Sequence, residues 1–308
     1  MRLKSIHLGF DENSLTVYKA IANKHRLEIL RLLSVEPHNV NELAEKLNLP
    51  FSTTATNVKK LEEANLISTE LVPGRGTQKV NAKNLDRIII DLFEKEKTEE
   101  NNKKIIVDMP IGEYFDCCVK PHCGIVGEND YIGLQDDPRS FYDPFRKKAQ
   151  LLFMRDGYVE YRFQNKVPYG ATVKEIEVSA ELCSEAPNHK LDWPSDITVW
   201  INNVELGTWT SPGDFGGRRG YLTPKWWLTN YTQYGLLKRF KVNEKGSYLD
   251  GTKLNNAIMI DDLRIKEYPF ISLKIGIKED AINKGGFNLF GNQFGNYEQG
   301  LLMSITIQ

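Results

Sequence analysis

The sequence predicts an α+β protein of two parts, helical in its first third and built of antiparallel β-strands in the rest. Three observations lead to this fold class. Apolar residues recur at helical spacing between residues 15 and 93, a polar run follows at 95–104, and a period of two dominates beyond it. With 308 residues, 41% of them apolar, the chain is long enough for two or three compact units with buried cores.

The helical part breaks into short amphipathic segments. A break near Asn23 separates two predicted helices, whose buried positions are Ile21, Ala22, Ile29, Leu32 and Leu33. Asn39 or Asn41 caps a third helix, which ends at the run Asn48-Leu49-Pro50. A fourth helix starts at Ser52, and its predicted buried side is marked by Ala55, Val58, Leu61 and Leu66.

The outward side of the fourth helix is predicted to be small, polar and basic. Strand-like stretches at 67–72 and 77–81 then flank Pro73-Gly74-Arg75-Gly76, which predicts a β-hairpin with a basic tip. This order of elements is that of a winged helix-turn-helix, whose second helix enters the major groove of duplex DNA. We therefore predict DNA contacts from Ser52, Thr53, Thr54, Thr56, Asn57, Lys59, Lys60, Arg75, Gln78 and Lys79.

The charge of this segment agrees with a phosphate-binding role, although the net charge of the whole chain is only −1. Between residues 51 and 83, five lysines and arginines face three glutamates. Such a modest excess predicts a few phosphate contacts per protomer and therefore two protomers on the DNA. A solvated helix face would carry the same residue types, but the helix-turn-helix context favours DNA contact.

The helical part resembles the ArsR-type repressors in the segments 25–33, 40–47 and 58–67 and in the hairpin. The resemblance covers less than a third of the chain. It implies a homodimeric DNA-binding repressor whose terminal helices form the dimer, and we expect a last helix through Ile88, Ile89, Ile90, Leu92 and Phe93. Metal-sensing members of that family carry a cysteine motif in the helix that here contains 42–46, where no cysteine stands. This departure argues against the metal site of the family.

Residues 95–104 contain ten polar side chains and nothing to bury, which predicts a linker. The expected domains are accordingly a winged helix-turn-helix for DNA binding and dimerisation at 1–95, a linker at 96–104 and a ligand-sensing β-sandwich at 105–308.

The C-terminal part is predicted to be a jelly-roll-like antiparallel β-sandwich. Residues 158–163 and 173–182 alternate with period two, and 197–201 and 204–209 flank Asn202-Asn203, a pair suited to a two-residue hairpin turn. Further strands are expected at 236–242, 270–277 and 301–307. The segment also loosely resembles the jelly rolls of carbohydrate-binding modules, which implies a sugar as ligand.

Two features of the C-terminal part are candidates for a ligand site. The pair Trp226-Trp227 offers a flat apolar face for a sugar ring, and the glycine-rich loop 211–220 offers directed polar groups. The alternative interpretations are that the two tryptophans belong to the core and that the loop is only a flexible turn. The residues we predict at the site are Asp214, Arg218, Arg219, Trp226, Trp227, Asp192, Trp193 and Asn292.

The sequence predicts neither a metal nor another cofactor. Cys117, Cys118, His122 and Cys123 could supply zinc ligands, but adjacent cysteines on a strand point to opposite faces, so we favour buried, reduced thiols. Catalysis has less support, because no nucleophile elbow or zinc-hydrolase motif is present. Carboxylates such as Glu181, Glu185, Asp192 and Asp214 could pair as in a glycosidase, but sequence cannot place two of them across a bond.

No apolar run approaches the roughly 18 residues of a spanning helix, and residues 1–4 do not lead into a signal-peptide core, so we expect a cytoplasmic protein without a membrane partner. The favoured hypothesis is a non-enzymatic repressor that binds operator DNA as a homodimer and is released by a small molecule, with a sugar as the candidate effector. The alternatives are a sandwich that serves protein interaction or dimerisation, or one that is a carbohydrate-active enzyme.

Overall fold

The protein is described by a computed structural model, in which residues 5–72, 78–90, 102–254 and 258–308 are described. The chain divides into two compact units, residues 1–98 and residues 99–308.

The described residues of the N-terminal unit form four helices and two small sheets. Its elements are β1 (Ser5–Leu8), α1 (Glu12–Ile21), α2 (Lys24–Leu33), α3 (Val40–Leu47), α4 (Phe51–Glu63), β2 (Ile67–Val72), β3 (Gln78–Lys83) and β4 (Arg87–Ile90). Strands β2 and β3 form the antiparallel hairpin, and β1 pairs with β4 in parallel. Ile29, Leu43 and Leu61 are fully buried at the centre of the helices. The winged helix-turn-helix arrangement predicted from the sequence is confirmed.

Local polar groups set the helix boundaries. The Asn23 side chain accepts from the His25 and Arg26 backbone N–H groups at the start of α2. Asn39, the first of the two predicted caps, forms a capping box with Glu42 at the start of α3. Asn48 ends α3 in the left-handed region with φ of 51°, and the chain then turns into α4.

The predicted last helix is wrong where the structure describes it, because Arg87–Ile90 is a strand. Ile88 stands opposite Ile6 of β1 in the parallel pair. A run of β-branched isoleucines fits a pleated strand better than a helix once a partner strand is available. Leu92 and Phe93 lie outside the described residues. Because residues 88–90 form a strand, they do not supply the helix that was expected to form the dimer.

The C-terminal unit is built almost entirely of strands joined by turns. These are β5 (Lys103–Met109), β6 (Asp116–Val126), β7 (Tyr131–Ile132), β8 (Leu151–Gln164), β9 (Val173–Cys183), β10 (Ser195–Ile201), β11 (Val204–Ser211), β12 (Leu236–Asn243), β13 (Gly246–Leu249), β14 (Thr252–Lys253), β15 (Phe270–Ile277), β16 (Phe287–Phe290) and β17 (Leu301–Ile307). The first of them begins inside the predicted linker, since Lys103 and Lys104 already pair with β17.

All the strand pairs described in this unit are antiparallel, and they divide into two arms. One arm runs in the order β11-β10-β15-β8-β6-β7 and the other in the order β5-β17-β9-β12-β13-β14. The short strand β16 pairs with both β8 and β9 and so joins the arms at one end. At the other end β8 pairs with β15, whereas β9 pairs with β17. Because β8 and β9 have no strand in common there among the described residues, the two arms separate into two layers.

The two layers share one apolar core, as expected for a β-sandwich. Val159, Tyr161 and Ile197 from the first arm and Ile176 and Met303 from the second are at most 1% exposed in the same cluster. The predicted hairpin turn is also confirmed, because Asn202 and Asn203 adopt φ of 47° and 66° between β10 and β11.

Candidate functional site

The outer surface of α4 is the candidate nucleic-acid interface of the N-terminal unit. We define the α4 outer face as five exposed residues of this helix: Ser52, Thr53, Thr56, Lys59 and Lys60. No side chain caps the helix at Pro50, so its first backbone N–H groups add the positive end of the helix dipole to the two lysines. The face therefore combines hydrogen-bonding hydroxyls with positive charge, which suits an anionic polymer such as DNA.

Two of the predicted contacts on α4 are wrong, because Thr54 and Asn57 are buried. The Thr54 hydroxyl donates to the Pro50 carbonyl at 3.2 Å. Asn57 accepts from the Arg26 guanidinium at 3.2 Å and donates to the Thr53 carbonyl, which fastens α4 to α2. The spacing of apolar residues did not reveal this, because two polar residues occupy part of the buried side of α4. Ala55, which was predicted on that buried side, is only half-buried.

We expect Asn57→Ala to lower the stability of the N-terminal unit by about 1–3 kcal/mol, since it leaves a buried guanidinium N–H without its acceptor. Sequence preference on DNA should stay unchanged. Thermal unfolding followed at the helix band of the circular dichroism spectrum measures the first effect. A variant of unaltered stability that selects different DNA sequences would restore the original interpretation of Asn57.

The hairpin supplies the remaining predicted contacts. Lys79 is exposed on β3. Gln78 belongs to the same strand, but its side chain lies outside the described part of the structure, as does the whole of Arg75.

The candidate ligand site of the C-terminal unit is a cavity of about 370 Å³ on the side of β8 away from the shared core. Leu152 and Met154 point into the core, whereas Leu151, Phe153 and Arg155 line the cavity. We call this cavity the aromatic pocket, and its residues are His122, Tyr131, Gln135, Asp136, Leu151, Phe153, Arg155, Glu185, Ala186, Pro187, Asn188, Trp193, Trp227, Tyr231, Thr232, Lys284 and Asn288.

The floor of the aromatic pocket follows from strand register. Phe153 of β8 is paired with Gly124 on one side and Asn288 of β16 on the other. A Cβ at residue 124 would collide with the Phe153 ring, so glycine is what allows that ring to lie across β6. The loops that carry Trp193, Trp227 and Tyr231 supply aromatic walls, and a volume of this size falls within the range of small-molecule sites.

Asn288 and Glu185 are two of the polar residues in this lining. Asn288 is fully buried and donates to the Ser184 carbonyl at 2.7 Å and to the Glu185 carboxyl at 2.8 Å. Burial, reinforced by the negative charge of Asp214, raises the pKa of Glu185 well above its ordinary value. The Asn288 amide and the Glu185 carboxyl group thus lie side by side in the lining and offer hydrogen bonds.

Of the predicted ligand residues, the structure brings Trp193 and Trp227 together in the aromatic pocket. The Trp193 indole donates to the Glu185 carbonyl at 2.9 Å, and the Trp227 indole donates to the Thr232 carbonyl at 2.8 Å. Both rings are thus held in place by the loops that they border.

Asp214 and Arg219 lie outside the pocket and support its walls, contrary to the predicted direct contact. Asp214 is fully buried and accepts from the Ala186 N–H at 3.0 Å and the Thr232 hydroxyl at 2.8 Å. Arg219 donates to the carbonyls of Pro224 and Trp227. Their polar groups are already satisfied by the protein, which explains why a ligand does not need to engage them.

The other predicted ligand residues do not line the aromatic pocket. Trp226 is 37% exposed and donates to the Glu128 carbonyl, Arg218 is exposed beside Tyr221, and Asp192 is exposed. Asn292 instead borders a second cavity of about 110 Å³.

The glycine-rich loop is packed rather than open. A Cβ at Gly213 would collide with the Leu191 carbonyl, and one at Gly220 with the Gln233 carbonyl. These glycines permit close approach of backbone segments.

The pocket residues that sequence reasoning missed are mainly those contributed by separate strands, such as Phe153, Arg155 and Asn288. Glu185 had been considered only as one of several carboxylates. Period-two alternation in β8 places Phe153 and Arg155 on one face of the sheet. Only the strand register shows that Asn288 of β16 lies beside Phe153.

The cysteines occupy positions that agree with structural thiols. Cys117 is buried and Cys118 exposed, as alternation on β6 requires, and burial raises the pKa of Cys123 to about 11. Within the described ranges, no cluster of three or more histidine, cysteine or acidic side chains has the arrangement of a metal site.

We expect the free energy of unfolding of the C-terminal unit to fall as pH rises from 4 to 7, partly because burial raises the pKa of Asp214 to about 7. In the unfolded chain this pKa is about 4, so between pH 4 and pH 7 the unfolded chain has lost the proton that the folded chain still binds. The free energy of unfolding therefore falls as the pH rises through this interval. Asp214→Asn should flatten the dependence in urea titrations at several pH values, and the exposed control Asp192→Asn should not. Equal slopes for both variants would contradict the assignment.

No helix within the described parts of the chain has the length and apolar character needed to cross a membrane.

Comparisons with known proteins bear on the N-terminal unit. Residues 21–70 match the family model of a helix-turn-helix domain. Over 54 residues the chain is 37% identical to an uncharacterized HTH-type transcriptional regulator of Methanocaldococcus jannaschii, a match covering 18% of this chain and 57% of that regulator. The chain thus spans little more than half the length of this relative.

Two solved structures are also similar to part of the chain. HlyU from Vibrio cholerae is 25% identical with a TM-score of 0.21, covering 23% of this chain and 74% of that one. A homodimeric winged helix-turn-helix DNA-binding domain from Mycobacterium bovis, described as a possible ArsR-family transcriptional regulator, is 26% identical with a TM-score of 0.22, covering 23% and 64%. Together with the four helices and the hairpin described above, the family match establishes that the N-terminal unit contains a helix-turn-helix domain.

Proposed function

We propose that this protein is a transcriptional regulator that binds duplex DNA through α4 and the β2–β3 hairpin. The observation that carries the proposal is the α4 outer face, which presents hydroxyls and two lysines on the second helix of the helix-turn-helix. In such domains this helix enters the major groove, where hydroxyls can contact base edges and lysines can contact phosphates. The named relative, an HTH-type transcriptional regulator, supports the same role.

A direct test measures the fluorescence anisotropy of a labelled mixed-sequence duplex of about 30 base pairs titrated with the full chain. Binding should weaken steeply between 50 and 200 mM salt, since phosphate contacts release counterions. The absence of binding at 50 mM salt would contradict the proposal.

The regulator is proposed to act as a homodimeric repressor of the ArsR type. The small excess of positive charge per protomer favours two protomers on one duplex. Exposed apolar side chains of the N-terminal unit, Phe10, Leu15 and Ile90, provide surface for a second copy. Sedimentation velocity of the full chain tests the dimer, and a single species of about 35 kDa at micromolar concentration would contradict it.

The β-sandwich is proposed to bind the effector, a sugar, in the aromatic pocket. Residues 1–95 are proposed as the DNA-binding domain, the polar run before Lys103 as the linker, and the sandwich that begins with β5 at Lys103 as the sensor. Aromatic walls and the hydrogen-bonded Asn288–Glu185 pair combine the apolar face and the hydrogen bonds that a sugar ring requires. Binding lowers operator affinity if the ligand favours a dimer arrangement that fits DNA poorly. Because the ligand is kept intact, the chain acts as a sensor in the cytoplasm and not as an enzyme.

The effector proposal is tested by thermal shift of the full chain against a panel of monosaccharides and sugar acids, followed by product analysis. A raised melting temperature with unchanged sugar supports a sensor. No shift with any sugar would favour an interaction module, and a converted sugar would show that the sandwich is a carbohydrate-active enzyme.

A further inference from the structure

The unpaired polar groups of the aromatic pocket restrict the ligand further than its shape does. The Oδ1 atom of the fully buried Asn288 has no hydrogen-bond partner within the described residues. Buried acceptors are normally satisfied, and the cavity that Asn288 borders is where a donor has room. A ligand hydroxyl meets this requirement, and the Glu185 carboxyl group, 2.8 Å from the Asn288 amide, offers a second hydrogen bond.

The lining of the pocket also carries a positive charge. Arg155 is exposed on β8, two residues from Phe153 on the same face, and the described part of the chain supplies no partner for its guanidinium. The other charged groups of the pocket are engaged. Asp136 accepts from the Cys123 N–H at 3.1 Å and contacts the His122 ring at 3.4 Å, and Lys284 donates to the Glu279 carbonyl.

We propose that the aromatic pocket binds a sugar acid, whose hydroxyls contact Asn288 and Glu185 and whose carboxylate pairs with Arg155. This inference rests on the proposed sugar-binding function of the β-sandwich and adds the charge of the ligand. The planar guanidinium fork matches a carboxylate with two parallel hydrogen bonds. The single charge of the Arg155 guanidinium, which has no partner within the described residues, matches the single charge of a carboxylate.

Isothermal calorimetry with the full chain tests the inference on matched pairs: glucuronate with glucose, galacturonate with galactose, and gluconate with glucitol. At least one acid should bind 10-fold or more tightly than its neutral partner. Glucose 6-phosphate is included to distinguish a phosphate from a carboxylate, and tighter binding of the phosphate would overturn the choice of carboxylate.

Arg155→Ala should abolish the preference for the acid while leaving the melting temperature unchanged, because the side chain is exposed and without partners. Arg218→Ala is the matched control, an exposed arginine outside the pocket, and it should keep the preference. Retention of the preference in the Arg155 variant would overturn the inference. Equal or tighter binding of the neutral sugars by the unaltered chain would overturn it while leaving the sugar-sensor function intact, whereas no binding of any acid or neutral sugar would remove both.

Discussion

Replacing Lys59 and Lys60 together by alanine should weaken binding to any duplex by about 30-fold per protomer near 150 mM salt. Both side chains are exposed on the α4 outer face, and Lys59 makes only a 3.9 Å ion pair with Glu63. The estimate follows from about 0.9 released counterions per phosphate contact, which for two contacts also lowers the slope of log K against log salt by about 1.8. Anisotropy titrations at several salt concentrations measure both quantities.

The matched control is Lys166→Ala with Lys245→Ala, which removes two exposed lysines of the C-terminal unit and the same charge. It should leave the affinity and the slope close to those of the unaltered chain. If the two double variants lose affinity equally, the effect reflects net charge and α4 is not the DNA-contacting helix.

The second large effect is expected from Trp227→Ala, which should lower the stability of the β-sandwich by about 3–5 kcal/mol. Trp227 is only 5% exposed, and its ring lies 5.4 Å from those of Tyr131 and Tyr231 and 5.6 Å from that of Phe294, measured between centroids. Its removal leaves a cavity between the pocket wall and the strands. The neighbouring Trp226 is 37% exposed, so Trp226→Ala should cost only about 1 kcal/mol, comparable to one hydrogen bond.

Urea denaturation followed by tryptophan fluorescence measures this difference. All five tryptophans lie between residues 193 and 227, so the signal reports the C-terminal unit alone. Equal losses of stability for the two variants, or a loss below 1 kcal/mol for Trp227→Ala, would show that Trp227 is not a core residue.

Much of the N-terminal unit was predictable because its signals are local. Asn39 occupies a capping position suggested by the sequence, Asn23 lies at the predicted break before α2, and Asn48-Leu49-Pro50 separates α3 from α4 as expected. The errors arose where contact with a residue far away in the sequence determines the local structure or the burial of a side chain. Ile88 belongs to a strand only because β1 lies beside it, and Asn57 is buried because Arg26 reaches it from α2.

The difference between local signals and contacts distant in sequence also explains why the candidate ligand site was predicted only in part. Alternation and turn residues predicted the strands of the sandwich, but a pocket on a sheet depends on which strands are neighbours. Asn288 and Phe153 are 135 positions apart and meet through the pairing of β16 with β8. Asp214 was predicted as a ligand-binding residue, whereas its contacts as an internal acceptor depend on Ala186 and Thr232, which the sequence does not place beside it.

Sequence-specific recognition of DNA by the α4 outer face is tested most directly by selection from a randomised duplex library with the full chain, followed by sequencing. The account predicts enrichment of one sequence motif, arranged as an inverted repeat because a twofold dimer presents two α4 helices. The Lys59→Ala, Lys60→Ala variant should recover little DNA. If the unaltered chain enriches no motif, or if this variant enriches the same motif with equal yield, the account of the protein as a regulator reading DNA through α4 is contradicted.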